Sequence, residues 1–153
     1  MMLSEGEMAP EVMLALADGA KPLSAWRGRA LVLYFYPKDD TPGCTTEAKD
    51  FSALAGDFAA AGADIVGVSK DTPAKHGKFI AKHELTVALA SDEDGAVCEA
   101  FGTWIEKSLY GRQYMGIDRA TFLIDGTGAI RRIWRKVKVK GHAEAVLEAV
   151  KGL

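Results

Sequence analysis

The feature that most constrains the fold is a continuous apolar run, Ala30–Tyr36, which ends at Pro37. An unbroken run of this kind, without alternating polar residues, is typical of a strand that is covered on both faces. The proline ends the strand because it lacks the N–H that the next hydrogen bond of the ladder needs. A strand buried on both faces needs structure packed on either side of it, which indicates a layered α/β protein.

The rest of the chain alternates between predicted strands and helices. In chain order these are a hairpin or edge strand in Glu11–Leu16, a helix from Thr41-Pro42 to about Gly62, a strand over Ala63–Val68, a helix from Thr72-Pro73 to about His83, a short strand near Val87–Ala90, a short helix within Asp92–Gly102, a loop-rich segment from Thr103 to Asp118, a hairpin of Ala120–Ile124 with Ala129–Trp134, and a final helix around Ala143–Val150. This order predicts a central mixed β-sheet flanked by helices. With 153 residues, the chain is expected to form one domain, residues 1–153.

Composition argues against several classes of function. The net charge is -2 with acids and bases interspersed, so we expect neither nucleic acid nor an anionic membrane as a partner. No apolar segment approaches the roughly 20 residues that span a bilayer, and Met1–Pro10 lacks the parts of a signal peptide. A soluble, cytoplasmic protein is therefore expected. The histidines (His76, His83 and His142) lie far apart in sequence, so we expect them on the surface or at helix ends, with no metal and no cofactor bound.

Cys44 is the strongest candidate for chemistry. It follows Thr41-Pro42-Gly43, where the threonine side chain is expected to cap a helix and the proline suits the first helical position. Cys44 then lies in the first turn, where unpaired N–H groups and the positive end of the helix dipole favour a thiolate. The N–H groups of Gly43 and Cys44 could also hold an oxygen beside the sulfur. These features favour Cys44 as a nucleophile.

Two features argue against a simple version of this hypothesis. Thr72-Pro73 has the same helix-start pattern without a cysteine, so the pattern alone is not catalytic. Asp39 and Asp40 precede Cys44, and nearby acids raise the pKa of a thiol. A buried arginine from elsewhere in the fold is therefore expected to compensate for them, since Lys38 is expected to be flexible and solvated.

Pro37, Thr41 and Cys44 have the spacing P-x-x-x-T-x-x-C, and this motif resembles the signature of peroxiredoxins. The segment from Tyr36 to Glu47 resembles the bacterioferritin comigratory protein or PrxQ subfamily. Further segments match that subfamily in order and spacing: Ser91–Gly95, Phe101–Trp104, Tyr110–Arg112 and Gly116–Asp125. The resemblance covers nearly the whole chain.

The resemblance implies a thioredoxin-like fold and an antioxidant enzyme that reduces hydrogen peroxide and organic hydroperoxides. It assigns Cys44 as the peroxidatic cysteine, whose thiolate becomes a sulfenic acid. By the same resemblance Thr41 bonds the sulfur and the peroxide, Pro37 shields the pocket, and Arg119 is the distant cation that acts with the Gly43 and Cys44 amides. The reductant implied is a thiol such as thioredoxin, glutaredoxin or glutathione.

One departure from the subfamily concerns the second half of the reaction. Many members carry a resolving cysteine on the same helix, at the position that Lys49 occupies here. Either an external thiol resolves the sulfenic acid, in a one-cysteine mechanism, or Cys98 does so. Cys98 and Phe101 are expected to share an apolar helical face, so Cys98 could equally be a buried structural residue.

The sequence leaves two other hypotheses for Cys44 open. A thiol–disulfide oxidoreductase would need Cys-x-x-Cys, of which Thr41–Cys44 supplies only the second cysteine. A peroxide sensor would be oxidised once and would not turn over. The oligomeric state is expected to be a monomer or a weak homodimer.

Overall fold

The computed structural model describes residues 2–153. Its strands are β1 (Met13–Leu16), β2 (Gly19–Pro22), β3 (Ala30–Phe35), β4 (Ala63–Ser69), β5 (Ala88–Ser91), β6 (Trp104–Leu109), β7 (Arg112–Ile117), β8 (Ala120–Ile124) and β9 (Ile130–Trp134). Its helices are α1 (Pro42–Ala60), α2 (Pro73–His83), α3 (Ala96–Ala100) and α4 (His142–Lys151), and one turn of 3-10 helix covers Leu23–Trp26.

A mixed sheet with the strand order β2-β1-β5-β4-β3-β8-β9 forms the centre of the molecule. The predicted strand β3 lies inside this sheet, parallel to β4 and antiparallel to β8, and all its residues are buried. The predicted α/β fold with a central mixed sheet is thereby confirmed.

Alternate residues of β3 point into two separate hydrophobic cores. Val32 and Tyr34 pack on the side of α1, α2 and α4, whereas Leu33 and Phe35 pack on the opposite side with α3. This alternation follows from the two-residue period of a strand. Because both faces bury apolar surface, the uninterrupted apolar run in the sequence is explained.

The prediction of a loop-rich segment from Thr103 to Asp118 is wrong. Its residues form β6 and β7, which pair antiparallel from Trp104↔Ile117 to Leu109↔Arg112 as a separate two-stranded sheet. The turn at Tyr110 and Gly111 places both residues at positive φ, 51° and 78°. Such a turn suits the twist of a hairpin, but Tyr110 is an unusual residue for it, so the sequence carries only a weak turn signal.

Two of the histidines are not on the surface, although His142 does lie at a helix end, as the first residue of α4. His76 and His142 are buried, and Nε2 of His142 lies 2.8 Å from the hydroxyl oxygen of Thr121. Burial, helped by the charge of Arg119, lowers the pKa of His142 to about 4. Both rings find hydrogen-bond partners inside the protein, and sequence spacing alone could not indicate those partners.

No helix within residues 2–153 is both long and apolar enough to cross a membrane.

Gly67 in β4 provides a test of how tightly the core on the α1 side of the sheet is packed. A Cβ at this position would lie 2.6 Å from Cζ of Tyr34 and 2.9 Å from Cδ2 of Leu89. We expect Gly67→Ala to lower the free energy of unfolding by about 1–3 kcal/mol, because a packed core must shift to accept the methyl group. Urea unfolding measures the change.

Gly77→Ala is the matched control for this substitution. Gly77 lies in the interior of α2, and a Cβ there meets no atom within 4 Å. Alanine should therefore raise stability by about 0.5–1 kcal/mol, because glycine in a helix loses more backbone entropy on folding. Equal effects of the two substitutions would contradict the tight packing described for Gly67.

Candidate functional site

Cys44 lies in the first turn of α1, directly after the loop that leaves β3. Its side chain is 2% exposed and belongs to the core on the α1 side of the sheet. Arg119, which is 75 residues away in the sequence, donates from Nη2 to the Cys44 sulfur at 3.3 Å. The structure thus brings together the cysteine and the arginine that the sequence analysis singled out.

The start of α1 leaves backbone donors open beside the sulfur. The first backbone bond of the helix runs from the Thr45 N–H to the carbonyl of Thr41, at 2.8 Å. Within the described chain, the N–H groups of Gly43 and Cys44 have no hydrogen-bond acceptor. A helix start with unpaired N–H groups attracts an oxygen that carries negative charge.

The prediction that the Thr41 side chain caps α1 is wrong. Thr41 does occupy the capping position, but its hydroxyl donates to the carbonyl of Lys38 at 2.8 Å and makes no bond to the helix. Thr72, at the start of α2, behaves differently, because its hydroxyl accepts from the N–H of Lys75 at 3.2 Å. The same Thr-Pro pattern therefore closes one helix start and leaves the other open.

Gly43 allows the close approach of Arg119 to the helix. A Cβ at position 43 would lie 3.2 Å from Nη2 of Arg119, which is tighter than ordinary van der Waals contact. A side chain here would press on the nitrogen that contacts the sulfur. Pro37 lies at the exposed start of the loop, at the end of β3.

Glu47 holds the other side of the Arg119 guanidinium. Nη1 of Arg119 donates to Oε1 of Glu47 at 2.7 Å, and Glu47 is only 1% exposed. Burial raises the pKa of Glu47 to about 7, although Arg119 partly offsets this shift. The second carboxylate oxygen of Glu47 has no hydrogen-bond partner. Arg119 therefore has one nitrogen on the sulfur and one on the carboxylate, which defines its orientation.

The two aspartates that precede Cys44 both have cationic or proton-bearing partners. Asp40 contacts Nζ of Lys82 at 2.7 Å and Nε2 of His83 at 2.8 Å, and hydrogen bonds from these groups lower its pKa. Asp39 is buried and contacts Nδ1 of His76 at 2.6 Å. The negative charges of Asp39 and Asp40 are thus offset by residues of α2, in addition to the expected arginine, Arg119.

Sequence reasoning missed the contribution of the β6–β7 hairpin. Lys107 on β6 is half-buried, and burial lowers the pKa of its amine; the charge of Asp118 opposes this shift. Because β7 ends at Ile117, two residues before Arg119, the hairpin leads directly to the cation of the site. Residues 104–109, Trp-Ile-Glu-Lys-Ser-Leu, do not alternate between apolar and polar side chains, so they lack the two-residue period that indicates a strand.

Cys98 is not near the candidate site. It lies in α3, is fully buried, and belongs to the core on the opposite side of the sheet from Cys44. Burial and the neighbouring Asp92 raise the pKa of its thiol to about 12. A thiol in such surroundings is inert, since the thiolate is the reactive form.

Asp39, Asp71 and His76 form a group whose ligand-type atoms lie within 4.8 Å of one another. The atoms contact each other directly: His76 bonds Asp39, and the N–H of Asp39 donates to Oδ2 of Asp71 at 2.8 Å. The arrangement suits an internal hydrogen-bond network better than a cation, because these bonds already use the atoms that would bind it.

The fold and the site define a class of protein. A thioredoxin-like mixed sheet that presents a cysteine at an open helix start, next to an arginine, is that of a thiol-dependent peroxidase. The chain belongs to the AhpC/TSA family, whose model matches residues 6–133.

Individual relatives agree with this assignment. The chain is 51% identical over 142 residues to peroxiredoxin Bcp of Xanthomonas campestris, covering 92% of this chain and 89% of that protein. It is 47% identical to peroxiredoxin Bcp of Bacillus subtilis, covering 100% and 98%. A structure of Xanthomonas campestris peroxiredoxin Q superposes with a TM-score of 0.88 at 51% identity, covering 92% of this chain and 90% of that one. The resemblance inferred from the sequence is thus confirmed.

One solved relative also has a described activity. It is the bacterioferritin comigratory protein of Xanthomonas campestris, studied for alkyl peroxide reduction through a trapped intermediate/ligand complex. It is 50% identical to this chain and has a TM-score of 0.87, covering 92% of this chain and 90% of that one.

The buried Glu47 carboxyl predicts a pH-dependent stability. Its folded pKa, about 7, lies above the ordinary value of 4.5, so between these values the folded state holds a proton that the unfolded state has released. Stability should therefore fall as the pH rises through this window. Relative to Glu47→Gln, the wild-type free energy of unfolding should fall by up to about 3 kcal/mol between pH 4.5 and pH 8.

Urea unfolding of both proteins at a series of pH values measures this difference. The Gln variant is the matched reference, because it preserves the shape of the side chain but cannot ionise. A difference that stays flat across the window, or that grows in favour of the wild type, would contradict the raised pKa.

Proposed function

We propose that this protein reduces hydrogen peroxide and organic hydroperoxides with Cys44 as the peroxidatic residue. The observation that carries the proposal is the 3.3 Å contact between the Arg119 guanidinium and the Cys44 sulfur, beside the open N–H groups of the α1 start. The alkyl peroxide reduction studied for the Xanthomonas campestris relative supports organic hydroperoxides as substrates.

In the proposed reaction, the Cys44 thiolate attacks one oxygen of the peroxide. The S–O bond forms as the O–O bond breaks, so sulfur is oxidised by two electrons and the peroxide is reduced by two. The departing oxygen takes a proton and leaves as water from hydrogen peroxide, or as an alcohol from an organic hydroperoxide. Cys44 is left as a sulfenic acid.

The charge that develops on the peroxide oxygens is the part of this step that the protein can stabilise. Arg119 supplies a permanent cation on one side of the sulfur, and the N–H groups of Gly43 and Cys44 supply donors on another. These groups are already in place before the reaction, so they need little reorganisation in the transition state. Glu47 is a positioning residue in this scheme, because it holds Arg119 and does not contact the sulfur.

Thr41 and Pro37 have supporting roles in the proposal. The Thr41 hydroxyl proton is engaged by the Lys38 carbonyl, so the oxygen of this hydroxyl is available as an acceptor for the O–H of a bound peroxide. Pro37 is exposed at the start of the same loop, and its proposed role, to limit the access of water, is supported by the spacing of the Pro37, Thr41 and Cys44 motif.

For the return to the thiol we propose a one-cysteine mechanism. Cys98 lies across the sheet from Cys44, so a disulfide between them would require the two cores to open. An external thiol, from thioredoxin, glutaredoxin or glutathione, is the simpler reductant. Because Cys44 is 2% exposed, the first turn of α1 must move for that thiol to reach the sulfur.

Two serine variants test the roles of the cysteines. We expect Cys44→Ser to lose peroxide turnover, because a serine hydroxyl remains protonated where a thiol ionises. Cys98→Ser should retain most of the activity, since Cys98 is remote and inert. Peroxide consumption with dithiothreitol as reductant measures both rates.

Intact mass after one equivalent of peroxide, with and without a sulfenic acid trap, completes this test. A trapped sulfenic acid on Cys44 is expected. Loss of turnover in Cys98→Ser, together with an intramolecular disulfide between Cys44 and Cys98, would assign Cys98 as the resolving residue. A wild-type protein that is oxidised once and does not turn over would indicate a sensor.

Arg119→Lys tests the proposed cation. Lysine preserves the charge, but it cannot place separate nitrogens on Cys44 and Glu47 in the fixed geometry of a guanidinium. We expect the second-order rate constant for peroxide to fall by about 10²-fold, the lower range for removing one preorganised donor. Stopped-flow oxidation of the reduced protein measures this rate.

Arg112→Lys is the matched control for this variant. Arg112 is exposed on β7, and the same substitution there should leave the rate constant close to that of the wild type. Equal rates for the wild type and Arg119→Lys would contradict the role proposed for Arg119.

A further inference from the structure

The loop between β3 and α1, residues 37–41, has almost no backbone–backbone hydrogen bonds that could define its shape. Within the described chain, residues 37–40 make no backbone–backbone hydrogen bond. Asp40 also has a φ of 61°, a left-handed conformation that residues other than glycine seldom adopt. The shape of this loop therefore depends on contacts that its side chains make with other elements.

Asp39 is the buried anchor of the loop. Its Oδ1 accepts from the hydroxyl of Tyr36 at 2.5 Å, and its Oδ2 lies 2.6 Å from Nδ1 of His76. Its N–H donates to Oδ2 of Asp71 at 2.8 Å. These three partners belong to the end of β3, to α2 and to the segment after β4. Asp39 thus ties the loop to three different parts of the fold.

The hydrogen bonds of His76 determine how its ring acts. Nε2 lies 3.0 Å from the carbonyl oxygen of Ala90, which can only accept, so Nε2 carries a hydrogen. A second proton must then lie between Nδ1 and Asp39, because two bare lone pairs would repel each other at 2.6 Å. The ring therefore bridges β5 and the loop through two hydrogen bonds, and it is buried at 4% exposure.

The anchored loop leads directly into the candidate site. Thr41 follows Asp39 by two positions, and the open N–H groups of Gly43 and Cys44 come next. A displacement of Asp39 would carry this segment with it. A shift of about 1 Å in the groups around a reacting atom can lower a rate by about 10²-fold.

We propose that His76 is a positioning residue for Cys44: through its hydrogen bond to Asp39, it holds the loop in the arrangement that peroxide attack requires. This inference rests on the function proposed above. It has a specific consequence, because the two halves of the cycle need different states of the loop. Attack on peroxide needs the loop in the arrangement that the structure shows. Reduction of the oxidised sulfur needs a different arrangement, because the sulfur of Cys44 is buried and must become accessible to the reductant.

Two amide variants separate the two hydrogen bonds of the ring. In His76→Asn, the side-chain nitrogen can occupy the place of Nδ1 and keep the donor towards Asp39. In His76→Gln, the nitrogen can occupy the place of Nε2 and keep the donor towards Ala90. Both variants lose the ring, and Asn, the smaller residue, leaves the larger cavity, so a role in packing alone would affect Asn at least as much as Gln.

His83→Asn is the matched control. His83 also lies on α2 and also contacts this loop, through Asp40, but the contact is on the surface. Asp40 is exposed and keeps its second partner, Nζ of Lys82 at 2.7 Å, when His83 is replaced. The same substitution at this position therefore tests whether any loss of a histidine from α2 disturbs the loop.

The experiment measures two rates for each protein. Stopped-flow fluorescence gives the rate constant for oxidation of reduced Cys44 by hydrogen peroxide, and a second mixing step gives the rate at which dithiothreitol reduces the oxidised protein. For His76→Gln we expect the first rate to fall by about 10- to 100-fold, while the second is unchanged or faster. For His76→Asn and His83→Asn both rates should stay close to those of the wild type.

Several outcomes would overturn the proposal. Equal peroxide rates in the Asn and Gln variants at position 76 would assign His76 to packing, and so would a parallel loss of both rates in His76→Gln. If His76→Gln does not fold, NMR of the wild-type ring decides: the proposal requires an exchange-protected proton on Nδ1 in the reduced protein. A wild-type protein that does not react with peroxide would instead refute the role proposed for Cys44.

Discussion

The geometry of the site depends on the two hydrogen bonds that the guanidinium of Arg119 donates. Arg119 lies just before β8 and donates to the sulfur of Cys44 and to the carboxylate of Glu47, both on α1. One planar group thereby joins the strand next to β3 to the helix that follows β3. The charge is half-buried, so water screens it less than it would screen an exposed cation. Gly43 leaves the space that this approach needs.

The division of the core into two halves determines how different the two cysteines are. The strand β3 sends alternate side chains to opposite faces, and the helices α1 and α3 lie on these opposite faces. Cys44 therefore meets a cation and open backbone donors, whereas Cys98 meets apolar side chains and the carboxylate Asp92. Two thiols of one chain thus have opposite electrostatic surroundings, because the sheet separates them.

Much of the fold could be predicted from local patterns. The buried strand is indicated by its unbroken apolar run, although its partners β4 and β8 are distant in sequence. The helix starts at Thr-Pro, the hairpin around Asp125 and the final helix depend on contacts between residues that are near in sequence. The hairpin of β6 and β7 is not predicted, because its turn uses Tyr110 and, in the part of the chain that the structure describes, its strands pair only with each other. The cap by Thr41 is predicted wrongly, because the Thr-Pro pattern does not indicate that the Thr41 hydroxyl turns to the carbonyl of Lys38 and accepts no hydrogen bond from an N–H of the helix.

The sequence by itself determined which residue types are present, and its local patterns indicated the buried strand and the helix starts. It thereby determined that Cys44 stands in the first turn of a helix behind a buried strand. Only the tertiary structure decided which charged groups surround that cysteine. Arg119 reaches it from 75 positions away, and His76 reaches Asp39 across 37 positions. Contacts of this range depend on how the sheet and its helices pack, and no local periodicity in the sequence encodes them.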